Sequence, residues 1–156
     1  MKILTFIYAM FLSFLPGLIG MFFSPSGQSD AWYHMLTKSV LTPNGWVFAA
    51  VWTLLYILLG FALFFIMDAN RDRAEKRSAY ALFGLHVVLN AAWTYLFFGL
   101  HLPLIAAIVI AVLIVIAILM IVRFKSISKP ASYLVYPYVI WLFFALYLNA
   151  SILYLN

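Results

Sequence analysis

Residues 103–122 read PLIAAIVIAVLIVIAILMIV, without one charged, amide or hydroxyl side chain, and Arg123 and Lys125 follow directly. About 20 apolar residues in a helix cross roughly 30 Å of hydrocarbon. Four more stretches reach that length: Ile3–Phe23, Trp46–Met67, Ala79–Phe98 and Ser132–Tyr154. The chain is 68% hydrophobic and 8% charged, more apolar surface than a water-soluble domain of 156 residues can use. These features predict an all-α integral membrane protein. Residues 1–156 form a single domain, a bundle of five transmembrane helices with a long first extracytoplasmic loop.

Charge sorts the connections by side. Lys2, Arg71, Arg73, Lys76, Arg77, Arg123, Lys125 and Lys129 fall on one side, and Lys38 alone on the other. An excess of Lys and Arg marks the cytoplasmic side, which predicts a cytoplasmic N-terminus and an extracytoplasmic C-terminus. The net charge of +5 is laid out as membrane flanks, with no basic groove interleaved with aromatics, so nucleic acid is not an expected partner. The absence of cysteine excludes disulfides and thiolate chemistry. The three histidines are scattered, and no metal cluster is expected. The apolar run after Lys2 is too long for a leader and ends without a small-residue cleavage pattern, so it reads as the first helix.

Short connections predict that sequential helices lie antiparallel and adjacent. Gly99–Pro103 is tight enough to make the third and fourth helices direct neighbours. The exception is the segment from about Ser24 to Gly45, punctuated by Pro25, Gly27 and Pro43. A loop of that length in a tight protein is usually functional or disordered. Trp32, Tyr33, Met35 and Leu36 predict that it folds back onto the bundle. Thr42 or Asn44 is the expected cap of the second helix, with Pro43 in its first turn. In the first helix, Pro16 predicts a kink, and Gly17 and Gly20 permit close approach of a neighbour.

Three helices carry aromatic stripes: Phe48, Trp52 and Tyr56 in the second, His86, Asn90, Trp93 and Phe97 in the third, and Tyr138, Trp141, Ala145 and Asn149 in the fifth. The third-helix set lies within about 60° of arc at roughly 100° per residue. Asn90 and His86 are costly in hydrocarbon unless they face the interior. Asn90 either bonds between helices or addresses a ligand; His86 reads as structural. The fourth helix reads as scaffold, with Ala107 and Ala111 available for close packing. None of the five apolar stretches holds a charged residue, which argues against proton pumps and ion-coupled carriers. No nucleophile–base pair is visible, so hydrolysis and group transfer have no warrant.

The stripes and the loop carry a resemblance. Trp32–Tyr33, Pro43 with Trp46–Val47–Phe48 then Trp52 and Tyr56, Asn90–Ala91–Ala92–Trp93–Thr94 into Phe97–Phe98–Gly99, and Pro137–Tyr138 with Trp141, Ala145, Leu148 and Asn149 stand in order. The chain resembles bacterial members of the tryptophan-rich sensory protein family, also called the translocator protein or peripheral benzodiazepine receptor family, over essentially all five helices. That resemblance implies a receptor or sensor in the bacterial cell membrane, usually a homodimer, whose first loop caps an aromatic pocket. It implies tetrapyrroles as ligands, protoporphyrin or haem, with other planar lipophilic molecules as alternatives and no obligatory cofactor. Light-dependent breakdown of protoporphyrin by Trp52 and Trp141, or transport of a lipophilic solute, are the alternative activities. No conventional enzyme is expected. Carried onto this chain, Trp32 matches the loop tryptophan, and Asn90, Trp93, Ala145 and Leu148 match pocket-wall positions. With the stripes, the expected ligand-binding set is Trp32, Phe48, Trp52, Asn90, Trp93, Phe97, Tyr138, Trp141, Ala145 and Leu148. The chain departs from the family at Lys38–Ser39 and Thr42–Pro43, where a Lys–Pro pair and two prolines are usual. No basic residue follows Ser132, which puts sterol recognition in doubt.

Overall fold

A computed structural model describes residues 2–23 and 31–156 of the chain. The loop punctuation read at Pro25 and Gly27 lies outside the described residues. Helices α1 (Lys2–Gly20), α3 (Gly45–Asp68), α4 (Arg73–Thr94), α5 (Pro103–Ile127) and α7 (Tyr136–Leu155) form the bundle. Two short helices, α2 (Ala31–Met35) and α6 (Lys129–Tyr133), join it, and no strand occurs among the described residues. Five spans are long and apolar enough to cross a bilayer: Lys2–Gly20, Gly45–Asp68, Arg73–Gly99, Pro103–Ile127 and Lys129–Leu155. The predicted fold class is therefore the observed one.

The two ends of the bundle are chemically distinct. Lys2 pairs with Asp68 at 2.9 Å, and the Lys76 ammonium donates to the Met67 carbonyl at 3.0 Å. The Arg123 guanidinium donates to the Glu75 carbonyl at the same end. At the opposite end Asn156 bonds Thr37 of the long loop. The chain thus crosses the bundle an odd number of times, as the apolar stretches require.

The packing order departs from the sequential one. α1 packs against both α3 and α4, α4 against α5, and α5 against α7, while α3 meets α6 at the start of the fifth span. Consecutive α3 and α4 touch little, because α1 sits between them. Adjacency of α4 and α5 holds, enforced by the tight connection. There Leu102 N–H reaches the Leu96 carbonyl at 2.9 Å, and His101 adopts φ 55°. That left-handed backbone is strained for a residue with a Cβ.

Small residues let α1 approach its neighbours. A Cβ on Gly60 would lie 2.5 Å from Met10 Sδ, and one on Gly17 would lie 2.7 Å from the Tyr56 ring. Ser13 Oγ donates across to the Tyr56 carbonyl. Such contacts matter in lipid, where close packing replaces the hydrophobic effect as the cohesive force.

Other expectations need correction. α3 begins at Gly45 with Asn44 at its N-cap, so Pro43 precedes the helix, and Asn44 makes no side-chain capping bond. α4 starts at Arg73, six residues ahead of the apolar stretch, because helix hydrogen bonding continues into the polar flank. The fifth span breaks after Tyr133, since Pro137 has no N–H for the Tyr133 carbonyl and instead sits in the first turn of α7. On α5 the buried small residues are Ala106 and Ala117; Ala111 faces outward and Ala107 is only half-buried. The long loop does fold back through Trp32, Tyr33 and Leu36, but Met35 is 78% exposed.

Gly60→Leu should overpack the α1–α3 contact and cost about 1–3 kcal/mol. Gly84→Leu, whose Cβ meets nothing within 4 Å, should leave stability unchanged. Thermal unfolding in detergent checks this, and equal midpoint shifts for the two variants would contradict the packing.

Candidate functional site

The polar side chains of the stripes come together in the interior. Asn90 is 2% exposed and bridges two spans: its Nδ2 donates to the Tyr138 hydroxyl at 3.0 Å, and its Oδ1 accepts from the Tyr56 hydroxyl at 3.3 Å. An amide offers one acceptor and two donors, so a single residue of α4 ties α3 to α7. Closer to the loop, Trp93 Nε1 donates to Asn149 Oδ1 at 3.3 Å, and Asn149 Nδ2 donates to the Pro103 carbonyl at 2.8 Å. That carbonyl belongs to the first turn of α5, so this second link joins α4, α5 and α7.

Trp52 is the hub of the aromatic core. Its ring lies 5.5 Å from Tyr56, 6.5 Å from Trp93, 6.2 Å from Tyr138 and 6.4 Å from Trp141 between centroids. Phe48 packs edge-on against Trp141 at 5.6 Å. These separations lie in the range of favourable aromatic pairs. Toward the loop, Trp93 stacks on Phe97 at 5.6 Å, and Trp32 meets Phe97 at 5.6 Å. Trp32 also stacks on His101 at 4.2 Å with the rings 15° apart. One file of rings therefore runs from the α3–α7 wall to the capping helix α2.

The enclosed cavity is small, about 10 Å3, and is bounded by Trp52, Asn90, Trp93, Ile110, Leu113, Leu142 and Ala145. That is room for about one water. The rings that were expected to surround a chamber fill it instead. A tetrapyrrole does not fit this packing, and admitting a planar ligand requires ring rotation or separation of α3 from α7.

Each expected residue can now be placed. Trp52, Asn90, Trp93 and Ala145 bound the cavity. Trp141 and Phe48 stand beside Trp52 on the α3–α7 side. Tyr138 is fully buried behind Asn90, with His86 against its ring at 4.9 Å. Phe97 and Trp32 belong to the cluster under α2, away from the cavity itself. Leu148 is buried on α7 without bounding the cavity. His86 is 0% exposed, and neither ring nitrogen has a hydrogen bond of good geometry, although the Phe83 carbonyl lies nearby one turn back.

Some contributors were not foreseen. α5 was read as scaffold alone, yet Ile110 and Leu113 wall the cavity. Nothing in a uniformly aliphatic helix distinguishes its inner face. A π-helical turn at Tyr95–Gly99, where Leu100 N–H reaches the Tyr95 carbonyl at 2.9 Å, turns Phe97 inward at 3% exposed. Such turns are frequent at functional sites. His101, the strained anchor of Trp32, was visible only as part of a tight connection.

The fold and this core define a class: five-span helical membrane proteins whose aromatic interior is gathered beneath a capping loop. The chain belongs to the TspO/MBR family, which it matches over residues 9–155. It is 36% identical to the tryptophan-rich protein TspO of Chlorobaculum tepidum over 99% of this chain and 98% of that one. It is 30% identical to the tryptophan-rich sensory protein of Cereibacter sphaeroides, covering 96% and 92% of the two chains. The translocator protein of Ovis aries is 31% identical over 79% of this chain and 73% of its own. The protein is accordingly an integral membrane protein of the sensory and translocator group.

Asn90→Leu should leave two buried hydroxyls unpaired and cost about 1–3 kcal/mol. Adding Tyr56→Phe and Tyr138→Phe to it should restore part of that loss. Unfolding of the single and triple variants in detergent micelles measures the difference, and a triple variant less stable than the single one would contradict the bridge.

Proposed function

We propose that this protein is a membrane receptor for planar lipophilic ligands, tetrapyrroles such as protoporphyrin or haem foremost, bound among Trp52, Trp93 and Trp141. The observation that carries this reading is Trp141 Nε1, a buried donor with no acceptor among the described residues, beside the Trp52 hub. An unmet donor in an apolar interior costs about 1–3 kcal/mol. A ligand carrying carbonyl, carboxylate or ring-nitrogen acceptors would satisfy it. Three indole faces offer stacking to a conjugated ring, and Asn90 supplies an amide beside them. The small cavity makes binding an opening event, so the closed and open packings are the two states a sensor needs. The names of the relatives, sensory and translocator proteins, agree with that use.

A second reading, light-dependent degradation of protoporphyrin, is favoured by one feature. Trp52 and Trp141 stand edge to face at 6.4 Å, so both would flank a ring admitted there once the core opens. The excited ligand would supply the chemistry: an indole would pass it an electron, and dissolved oxygen would be the oxidant that opens the ring. Titration of the purified protein with protoporphyrin in the dark should quench tryptophan emission. Trp52→Phe/Trp141→Phe/Asn90→Ala should weaken that affinity at least about tenfold, a loss of roughly 1.4 kcal/mol. Unchanged affinity in the triple variant overturns the receptor reading. Pigment loss under illumination that is equal with and without protein overturns the photochemical one.

The charge asymmetry further supports a cytoplasmic N-terminus, and the resemblance supports a homodimer. The chain has no cysteine, so single cysteines placed at Lys38 and Lys125 report both. In intact cells an impermeant maleimide should label position 38 and spare position 125, and the reverse pattern would invert the orientation. A bismaleimide cross-linker applied to a panel of outward-facing single-cysteine positions should capture dimers. Monomer alone across the whole panel would overturn that assembly.

A further inference from the structure

A second concavity lies on the loop face, between residues 37–40 and the last turns of α7, with a volume of about 600 Å3. It is open to the side and shares no lining residue with the aromatic core. Val40, Ala150, Tyr154 and Leu155 give it apolar walls, and Val40 and Tyr154 are 99% and 89% exposed. We propose that this groove binds an anionic membrane phospholipid, its phosphate on Lys38 and Ser39 and one acyl chain along α7.

The chemistry of the rim selects an anion. Lys38 is the lone Lys or Arg of the loop face, and among the described residues no Asp or Glu lines the groove. Its ammonium donates to the Leu36 carbonyl at 3.1 Å and lies 4.5 Å from the Tyr33 ring centroid. Among the described residues, two of its three N–H groups therefore remain for another acceptor. The Tyr33 phenol is no countercharge, since burial raises its pKa above the ordinary tyrosine value. Ser39 Oγ and the Tyr147 hydroxyl share one hydrogen bond at 2.9 Å. Whichever of them donates, the other keeps its proton for an acceptor. Ser151 has spent its own proton on the Leu148 carbonyl at 2.7 Å and serves only as wall. Among the described residues the rim thus sets a hydroxyl proton beside the Lys38 ammonium.

Size and place select a lipid. About 300–1,000 Å3 suits one drug-sized body, which a single acyl segment matches and a whole two-chain lipid exceeds. The groove opens beside Tyr154, and tyrosines of this kind sit at the headgroup level, where the bilayer presents phosphate and chain together. Its walls also hold the capping loop. Asn156 Oδ1 accepts from Thr37 N–H at 2.9 Å, and Asn156 Nδ2 donates to the Thr37 carbonyl at 3.0 Å. A headgroup bound to Lys38 and Ser39 would add a tie at the same seam, coupling the charge of the surrounding lipid to how firmly the loop is held. This inference stands apart from the identity of any ligand in the core.

The test uses the full chain in zwitterionic nanodiscs carrying a small fraction of a diazirine acyl probe, with either a phosphatidylglycerol or a phosphatidylcholine headgroup. Labelled peptides are mapped by mass spectrometry. The anionic probe should label residues 37–40 and 147–155 about fivefold more than the zwitterionic one, the worth of one lysine at an anionic surface. Lys38→Gln should abolish that preference there while leaving labelling around Arg123 and Lys125 unchanged. Ala150→Trp, which fills the groove, should lower labelling by both probes. Equal labelling of the groove by the two probes, or a preference that survives Lys38→Gln, overturns the proposal. Displacement of the probe by added oleate with no preference among phospholipids would assign the groove to a free carboxylate amphiphile and also overturn it.

Discussion

The Asn90 side chain, held between the hydroxyls of Tyr56 and Tyr138, is the constraint on which the rest of the bundle depends. In hydrocarbon an amide has no water to fall back on, so it must find partners inside the protein. Those partners sit on α3 and α7, whose backbones make few direct contacts. The bridge therefore fixes a spacing that aliphatic packing alone would not. Trp52 and Trp141 fill the space so created, and their size sets how far apart the two spans stand.

This arrangement explains why one region can be well packed and still adaptable. α1 is tied to α3 through Gly17, Gly60 and Ser13, contacts in which backbone and small side chains leave little freedom. The α3–α7 side is instead held by ring faces and a few long polar bonds, which tolerate rotation better than a glycine contact does. At the loop end, α2 is pinned by Trp32 on the strained His101 and by the Asn156 bonds to Thr37. The strained backbone and the π-helical turn lie directly under the cap, where a change of packing would first be felt.

Much of this was legible in the residues themselves. Five spans followed from apolar run length, and the inward stripe of His86, Asn90, Trp93 and Phe97 followed from helical spacing. What escaped was whatever depends on order around the bundle. Short connections suggest sequential neighbours, but α1 intervenes between α3 and α4, and no residue of α1 advertises that choice except its glycines. α5 hid its inner face because Ile, Val and Leu surround it evenly; only packing selects Ile110 and Leu113. The break at Val135 was foreshadowed by Pro137, whose missing N–H ends the preceding turn, whereas the collapsed state of the aromatic core could not be read from residue types at all. The same rings can line a space or fill it.

On the receptor reading, the aromatic core is closed at rest and opens around Asn90. A structure of the protein with protoporphyrin bound in a bilayer mimetic tests this most directly. The prediction is a tetrapyrrole in contact with Trp52, Trp93 and Trp141, with those rings rotated, α1 still seated on α3, and Trp141 Nε1 bonded to the ligand. A tetrapyrrole lying on the lipid-facing surface, with the three indoles packed as they are now, would contradict it.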